Sequence, residues 1–494
     1  MRKILIGLIT AILVSVGITS CKKLDLVPYD AVAIPTGFKT LQDAKYWDNG
    51  LYTAFRGRQY GTFMFIQDVQ GEQLNASGDF GNRNGAPHRW GTFFNADDVA
   101  GYYQSYYGAL ANVNIVIKGY EQIPATTPAE IDSLNTFKAD ARFARAYYLQ
   151  NLALRYCKAY NPATAESDLG IPLVTEFDLN LKPARATLKA TYAQILDDIA
   201  AAKSLNVKRV SAKGSRYFTA DAILAFEARV KLYMQDWAGA YAAASTLINS
   251  GRYPLYTTAA GLKSYWTNDA YQEDIFRIVA TLSEPVNTNN IYLAIAGGGA
   301  FYSPDFIPTK TVLDTYDAAD FRKGVYFDQK LIQIQGVKYP NVILVNKYPG
   351  NPDLFTTTLS NYQNANKVFR IGETYMIAAE AAANLVNPVG ALMALNALKT
   401  ARGLPAVIGL TGTSLTDEIR AERTRELNFE GFHLFDLKRW GLGFTRGTAQ
   451  VPAAVVNSTG FTGLTIAPTD PKFTWGLPTN DLTLNSNLVQ NPGW

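Results

Sequence analysis

Two stretches of this chain constrain its architecture more than any other feature. One, ADAILAFEARVKLYMQDWAGAYAAASTLINSGRYPL, begins at Ala220; the other, RIGETYMIAAEAAANLVNPVGALMALNALKTARGLP, begins at Arg370. In the first, Ala220, Leu224, Ala228 and Leu232 recur every fourth residue, Asp236-Trp237 interrupts the stripe, and Ala240, Ala244 and Leu247 resume it. That spacing puts the apolar residues on one helix face. Gly251 stands where a left-handed residue would close the second helix. In the other stretch Asn387 can cap a helix whose first position is Pro388, and Gly403 with Pro405 ends it. Each stretch therefore reads as two short helices joined by a tight turn, with alanine where they cross.

Pairs of this kind resemble tetratricopeptide hairpins, although the roughly 34-residue period of that repeat is not kept strictly. The expected fold is mainly α: a tetratricopeptide-like helical-hairpin scaffold, an α/α superhelix, carrying long irregular loop insertions. A third helical stretch, LNTFKADARFARAYYLQNLALRYCKAY, has Phe137, Ala141, Ala144, Tyr148 and Leu152 on one face and Phe143, Tyr147 and Leu154 on a second. A helix apolar over that much of its circumference is deeply packed. Residues 56–100 and 252–365 show little helical period and are rich in Gly, Asn, Thr and aromatics. Long irregular stretches are either functional or disordered, and the rings argue against disorder. Those insertions therefore read as functional.

The N-terminus bears on location. Arg2-Lys3 precede an uncharged, mostly apolar run from Ile4 to Ile18, shorter than the roughly 20 residues of a membrane span. Ile18-Thr19-Ser20-Cys21 then resembles a bacterial lipobox, so residues 1–20 read as a lipoprotein signal peptide, and Cys21 as the lipidated first residue of the mature chain. Residues 21–35 read as a tether and 36–494 as one domain. Stable anchoring needs two or more acyl chains. With Cys21 acylated, Cys157 has no partner for a disulfide and reads as a small buried hydrophobe. Loss of Arg2 and Lys3 with the leader takes the formal charge from +4 to +2, and no dense basic run points to nucleic acid.

Near the C-terminus Glu418, Glu422, Glu426 and Glu430 recur at four-residue spacing with Arg423 and Arg425 between them. A glycosidase needs two carboxylates flanking one bond in a pocket. A ladder with interleaved arginines reads instead as an ion-pair network, with Asp436, Arg439 and Trp440 locking the following turn. Only His88 and His433 are present, and no nucleophile elbow, HExxH helix or P-loop occurs. No catalytic residue and no metal ligand set is expected, and the chain reads as a non-enzyme. Gly297-Gly298-Gly299 lacks the Lys-Ser/Thr ending of a phosphate loop and reads as flexible or close-approach backbone.

The stretch IRAERTRELNFEGFHLFDLKRWG, residues 419–441, closely resembles the signature of the SusD/RagB family of outer-membrane lipoproteins. KADARFARAYYLQNLALRYCKAYN with GIPLVTE, VFRIGETYMIAAEAAANL, ALNALKTARGL and the ending WGLPTNDLTLNSNLVQNPGW match the family in the same order. The resemblance runs from Cys21 to Trp494, its C-terminal signature occupying 419–494. His433 stands where the family often has arginine, and Trp494 where tyrosine is common. The resemblance implies a lipid-anchored protein on the outer face of the outer membrane in Bacteroidota, capping a TonB-dependent SusC-like transporter. The ligand surface that it implies is formed by the irregular insertions. It implies capture of oligosaccharides or other glycans for import, or of peptides in some members; a structural or adhesive surface lipoprotein is the further alternative.

The family's N-terminal binding loop precedes a helix with an aromatic run, here AGYYQSYYGALANVNIVI. The loop is GDFGNRNGAPHRWGTFFNADD, residues 78–98. It offers Trp90, Phe93 and Phe94 for stacking, with Asp79, Asn82, Arg83 and Asn95 as hydrogen-bonding groups, because sugars present flat C–H faces and hydroxyl edges. The resemblance carries over Trp90 with Asn95 most readily, with a buried loop anchor as the other reading of Trp90. His88, beside Trp90, is a further group that could reach ligand. A second surface offers Trp266, Tyr271, Phe301 and Tyr302. No cofactor is expected. Asp97, Asp98 and Asp305 are oxygen donors for a structural calcium, but no EF-hand spacing accompanies them.

Overall fold

Small side chains decide how closely the helices approach. In the computed structural model, which describes residues 37–205, 208–286 and 290–494, helix Ile371–Asn384 packs against helices Trp237–Asn249, Pro388–Ala401 and Gly412–Leu427. Ala378, Ala379, Ala381 and Ala382 are buried there against Ala240, Ala244 and Ala391, with Leu232, Met376, Leu395 and Leu398 filling the remaining space. Both expected hairpins are present: Ala220–Tyr233 with Trp237–Asn249, and Ile371–Asn384 with Pro388–Ala401. The side chains of Asp236 and Asn387 cap the second helix of each pair, accepting from Gly239 and Gly390 N–H at 3.0 Å. Gly251 (φ 62°) and Gly403 (φ 86°) follow the helix ends in the left-handed region, which glycine enters without a Cβ clash.

A second, aromatic core fills the other half. Helix Pro128–Tyr156 packs against Leu41–Arg56, Ala100–Tyr120 and Leu188–Ser204. Its Phe143 stacks on Phe218 with centroids 4.1 Å apart, and Tyr147 meets Phe55 at 4.8 Å. The helix begins earlier than its apolar stripe suggests, because Thr127 and Glu130 form a capping box ahead of it. Cys157 lies just past its end rather than within it, buried and unpaired.

The insertions are more ordered than their composition suggests. Helix Thr62–Gln70 lies inside the first, buried from Met64 to Gln70; a two-turn helix buried all round leaves no stripe to read. The second contains helix Ala259–Thr267 and the hairpin Phe327–Ile334/Val337–Val345, which joins 295–296 and 301–302 in a four-stranded sheet. The insertions are tied together where Leu74–Ala76 pairs antiparallel with Phe306–Pro308. Among the described residues no helix is long and apolar enough to cross a membrane. Cys21, the signal peptide and the tether lie outside the described residues.

Candidate functional site

The glutamate ladder belongs to the interior. Glu426, at the end of helix Gly412–Leu427, is fully buried between three arginines: Arg402 at 2.8 Å, Arg322 at 2.9 Å and Arg370 at 2.5 Å. Arg402 also pairs with Glu273 at 2.9 Å, and Arg370 and Lys347 each reach Glu430 at 2.6 Å. Burial alone would raise the Glu426 pKa, but Arg402 and Arg370 hold it well below the ordinary glutamate value. Glu430 departs from the four-residue ladder: the helix ends at Leu427, and Glu430 sits in the turn that follows. Asp436 pairs with Arg423 (2.8 Å), while Arg439 and Trp440 reach across to Glu380 on helix Ile371–Asn384, the indole N–H at 2.9 Å. These residues clamp two helices together as well as a turn.

Three aromatic candidates prove to be anchors. Trp90 is fully buried, packs on Phe473 and Phe444, and donates its indole N–H to the Gln70 carbonyl at 2.6 Å. Phe94 is buried edge-on against Trp494 at 4.9 Å. Trp266 is buried on helix Ala259–Thr267, with the Lys347 ammonium 4.6 Å from its ring. A ring with no free face cannot stack on a sugar, so these are corrections to the reading from sequence. His88 is likewise buried, Nδ1 lying 2.8 Å from the Val69 carbonyl oxygen, and burial beside Arg446 drives its pKa well below the usual value.

Asp79, Arg83 and Tyr302 remain at the surface and are brought together. The Asp79 carboxylate accepts the Gln335 backbone N–H at the tip of the long hairpin, 3.0 Å away. Arg83 binds Asp305 through both guanidinium edges, Nε at 2.7 Å, and keeps more than half of its side chain exposed. Tyr302 lies three residues before Asp305, half-buried, paired in register with Ile332 of the hairpin and 5.3 Å from the Lys330 ammonium. Of the three loop rings Phe93 alone is exposed (46%), with the Arg89 guanidinium 4.7 Å above it. Tyr339 and Tyr362 pack beside Tyr302 on the same small apolar cluster; isolated among polar residues in the sequence, they carried no signal. Gly297, Gly298 and Gly299 all have positive φ, and a Cβ on Gly297 would sit 2.4 Å from the Phe301 ring, so close approach does explain the first glycine.

Asn95 and Tyr271 lie apart from the rim contacts. Asn95 caps a helical turn, accepting Asp97 N–H at 3.0 Å. Tyr271 is half exposed under Arg277. Asp98 accepts Asn95 N–H, Asp97 accepts Thr479 N–H, and Asp305 is committed to Arg83. Among the described residues no group of three or more His, Cys, Asp or Glu could hold a metal ion. His433 is not merely packed: its Nε2 lies 2.6 Å from Glu72, and although burial disfavours the imidazolium, that carboxylate raises its pKa.

Two family models together match most of the described chain. A model described as "SusD family" matches residues 309–494, and one described as "Starch-binding associating with outer membrane" matches residues 34–232. The SusD-like protein P38 of Formosa agariphila is 23% identical over 478 residues, covering 87% of this chain and 90% of that one. A crystal structure of a SusD superfamily protein from Bacteroides thetaiotaomicron superposes with a TM-score of 0.77 at 24% identity, covering 92% of this chain and all of the other. A SusD-like carbohydrate binding protein from Bacteroides vulgatus gives 0.72 at 19% identity, covering 91% and 98%. At those identities the structural likeness speaks for the fold.

Proposed function

The chain belongs to the SusD/RagB family, and we propose that it is a lipid-anchored cell-surface receptor that captures oligosaccharides and passes them to a SusC-like TonB-dependent transporter. The observation that supports the ligand half of this reading is the rim: a pairing of two distant insertions, with Asp79 held to the hairpin tip, Arg83 to Asp305 three residues from Tyr302, and Phe93 exposed on the same loop as Asp79 and Arg83. Flat rings suit the C–H faces of a sugar, and a guanidinium and carboxylate at their edge suit its hydroxyls. The role is binding rather than catalysis, since Glu422, Glu426 and Glu430 are committed to buried ion pairs. Two or three such contacts supply roughly 4 to 8 kcal/mol, micromolar to millimolar affinity, which suits cargo that must be released. The anchor is Cys21 after removal of residues 1–20, the tether 21–35, and the receptor body one domain from 36 to 494.

The test is a screen of the chain from Lys22 onward against soluble polysaccharides and a peptide mixture, by affinity electrophoresis and calorimetry. Retention by one glycan, weakened in Phe93→Ala, supports the reading. Binding of peptides alone moves the protein to the peptide-capturing branch of the family. Co-purification of a barrel with the lipidated full-length chain tests the transporter half separately.

A further inference from the structure

A partly open cavity of about 80 Å³ with a mixed polar and apolar lining lies between helices Thr62–Gln70 and Pro128–Tyr156, beside the strand Asn366–Arg370 and the turn at Glu430. The charges lining it do not balance. Arg229 is neutralised by Glu373 at 2.6 Å and Lys367 by Asp269 at 3.2 Å, while Glu430 is already held by Arg370 and Lys347. Among the described residues Arg58 and Arg155 have no carboxylate partner. Arg58 donates to the Ala54 and Ser105 carbonyls at 2.7 and 3.0 Å. Arg155, nearly fully buried, donates to the Phe63 carbonyl and the Asn151 side chain, each at 2.8 Å. Neutral oxygens satisfy the guanidinium geometry without cancelling its charge, and a buried charge without a counter-charge is unfavourable.

The same lining holds spare donors. The amide nitrogens of Gln59 and Gln150 are buried without an acceptor among the described residues. The Gln59 amide is oriented by its oxygen, which accepts the Tyr147 hydroxyl at 2.5 Å, so its NH2 group is the free end. One buried and one half-buried guanidinium without a carboxylate among the described residues, Arg155 and Arg58, and two unused amide donors around one cavity are the complement of an anion. The Tyr106, Phe435 and Trp475 rings, 5.4 to 5.8 Å from Arg155, soften its charge without supplying a counter-charge. Water could accept from the amides but would bring no charge.

We propose that this cavity binds a small monovalent inorganic anion, a halide such as chloride, as the missing counter-charge between the N-terminal helices and the C-terminal signature turn. A volume of about 80 Å³ accommodates an ion with several waters, at roughly 10–15 Å³ each. The site lies apart from the rim and does not depend on which ligand the rim takes.

Crystals of the protein soaked in sodium bromide test this by anomalous scattering, alongside melting curves in which gluconate replaces chloride at constant ionic strength. The expected results are a bromide peak in the cavity and a saturable, chloride-dependent rise in melting temperature of a few degrees. Gln150→Glu supplies a carboxylate in place of the ion. It is expected to abolish the peak and the halide response while melting in gluconate at least as high as the unaltered protein. Absence of bromide from the cavity in the unaltered protein overturns the proposal, as does an undiminished halide response in Gln150→Glu. The crystallographic arm decides alone if the variant does not fold.

Discussion

The ion pairs around Glu426 and the pair Arg83–Asp305 use the same two functional groups in opposite settings. At Glu426 every side chain is closed off from solvent, so each charge survives only because its neighbours cancel it. At the rim Arg83 is 59% exposed and Asp305 10%, and water can take over from either partner. The difference separates holding from binding. The interior network fixes the turn from Glu426 to Trp440 against four other segments. The rim pair holds two insertions beside one another while leaving donors and rings open to a ligand. A sequence signature dense in glutamate and arginine therefore marks where the molecule is braced, and the proposed ligand rim lies elsewhere.

The largest effect is expected inside. Glu426→Gln leaves Arg322, Arg370 and Arg402 without their shared counter-charge and is expected to cost about 3–5 kcal/mol, as for other broken buried pairs, measured by denaturant unfolding. Trp90→Ala, which empties a buried indole site, is expected to cost about 3 kcal/mol, and any loss of ligand binding should track the fraction unfolded. An intact fold with abolished binding would return Trp90 to the ligand surface.

The His433–Glu72 pair has a pH window that sharpens the contrast. The pKa of His433 is raised above 6.5, so its stabilisation is full below that value and is lost as pH climbs through the raised pKa. Glu72, where His433 outweighs the cost of burial, is lowered below 4.5; its stabilisation is full above 4.5 and is lost as pH falls through the lowered pKa. His433→Gln is expected to cost about 1.5 kcal/mol near pH 5.5, and less in alkaline solution, by thermal melts across pH. A cost that does not change with pH would mean the pair is not ionised. The smallest stability effect belongs to the rim. Phe93→Ala should change unfolding free energy by no more than about 0.5 kcal/mol.

Legibility in the sequence follows the same division. The helical hairpins could be read because alanine and leucine recur at helical spacing, and Asn387, Pro388 and Gly403 mark their ends. The ion-pair role of Glu418 to Glu430 was legible from spacing, although the break after Leu427 was not, since charge spacing says nothing about where a helix stops. The loops were harder. Trp90, Phe93 and Phe94 are near neighbours in sequence, yet two are buried and one exposed. Trp90 adopts a positive φ of 57°, a local chain reversal that no periodicity encodes and that burial of its own indole maintains. Tyr302 comes toward Asp79 and Arg83 through the pairing of Leu74–Ala76 with Phe306–Pro308 and the Arg83–Asp305 ion pair, contacts across more than two hundred residues. His433 found Glu72 across a comparable distance.

Affinity electrophoresis of Phe93→Ala and Tyr302→Ala beside the unaltered protein, in gels containing the glycan that binds it, with melting temperatures measured on the same preparations, tests the central claim most directly. The account predicts at least a tenfold loss of affinity in each variant, about 1.4 kcal/mol, with melting of Phe93→Ala unchanged. Undiminished glycan retention by both variants would contradict it and place recognition away from the rim.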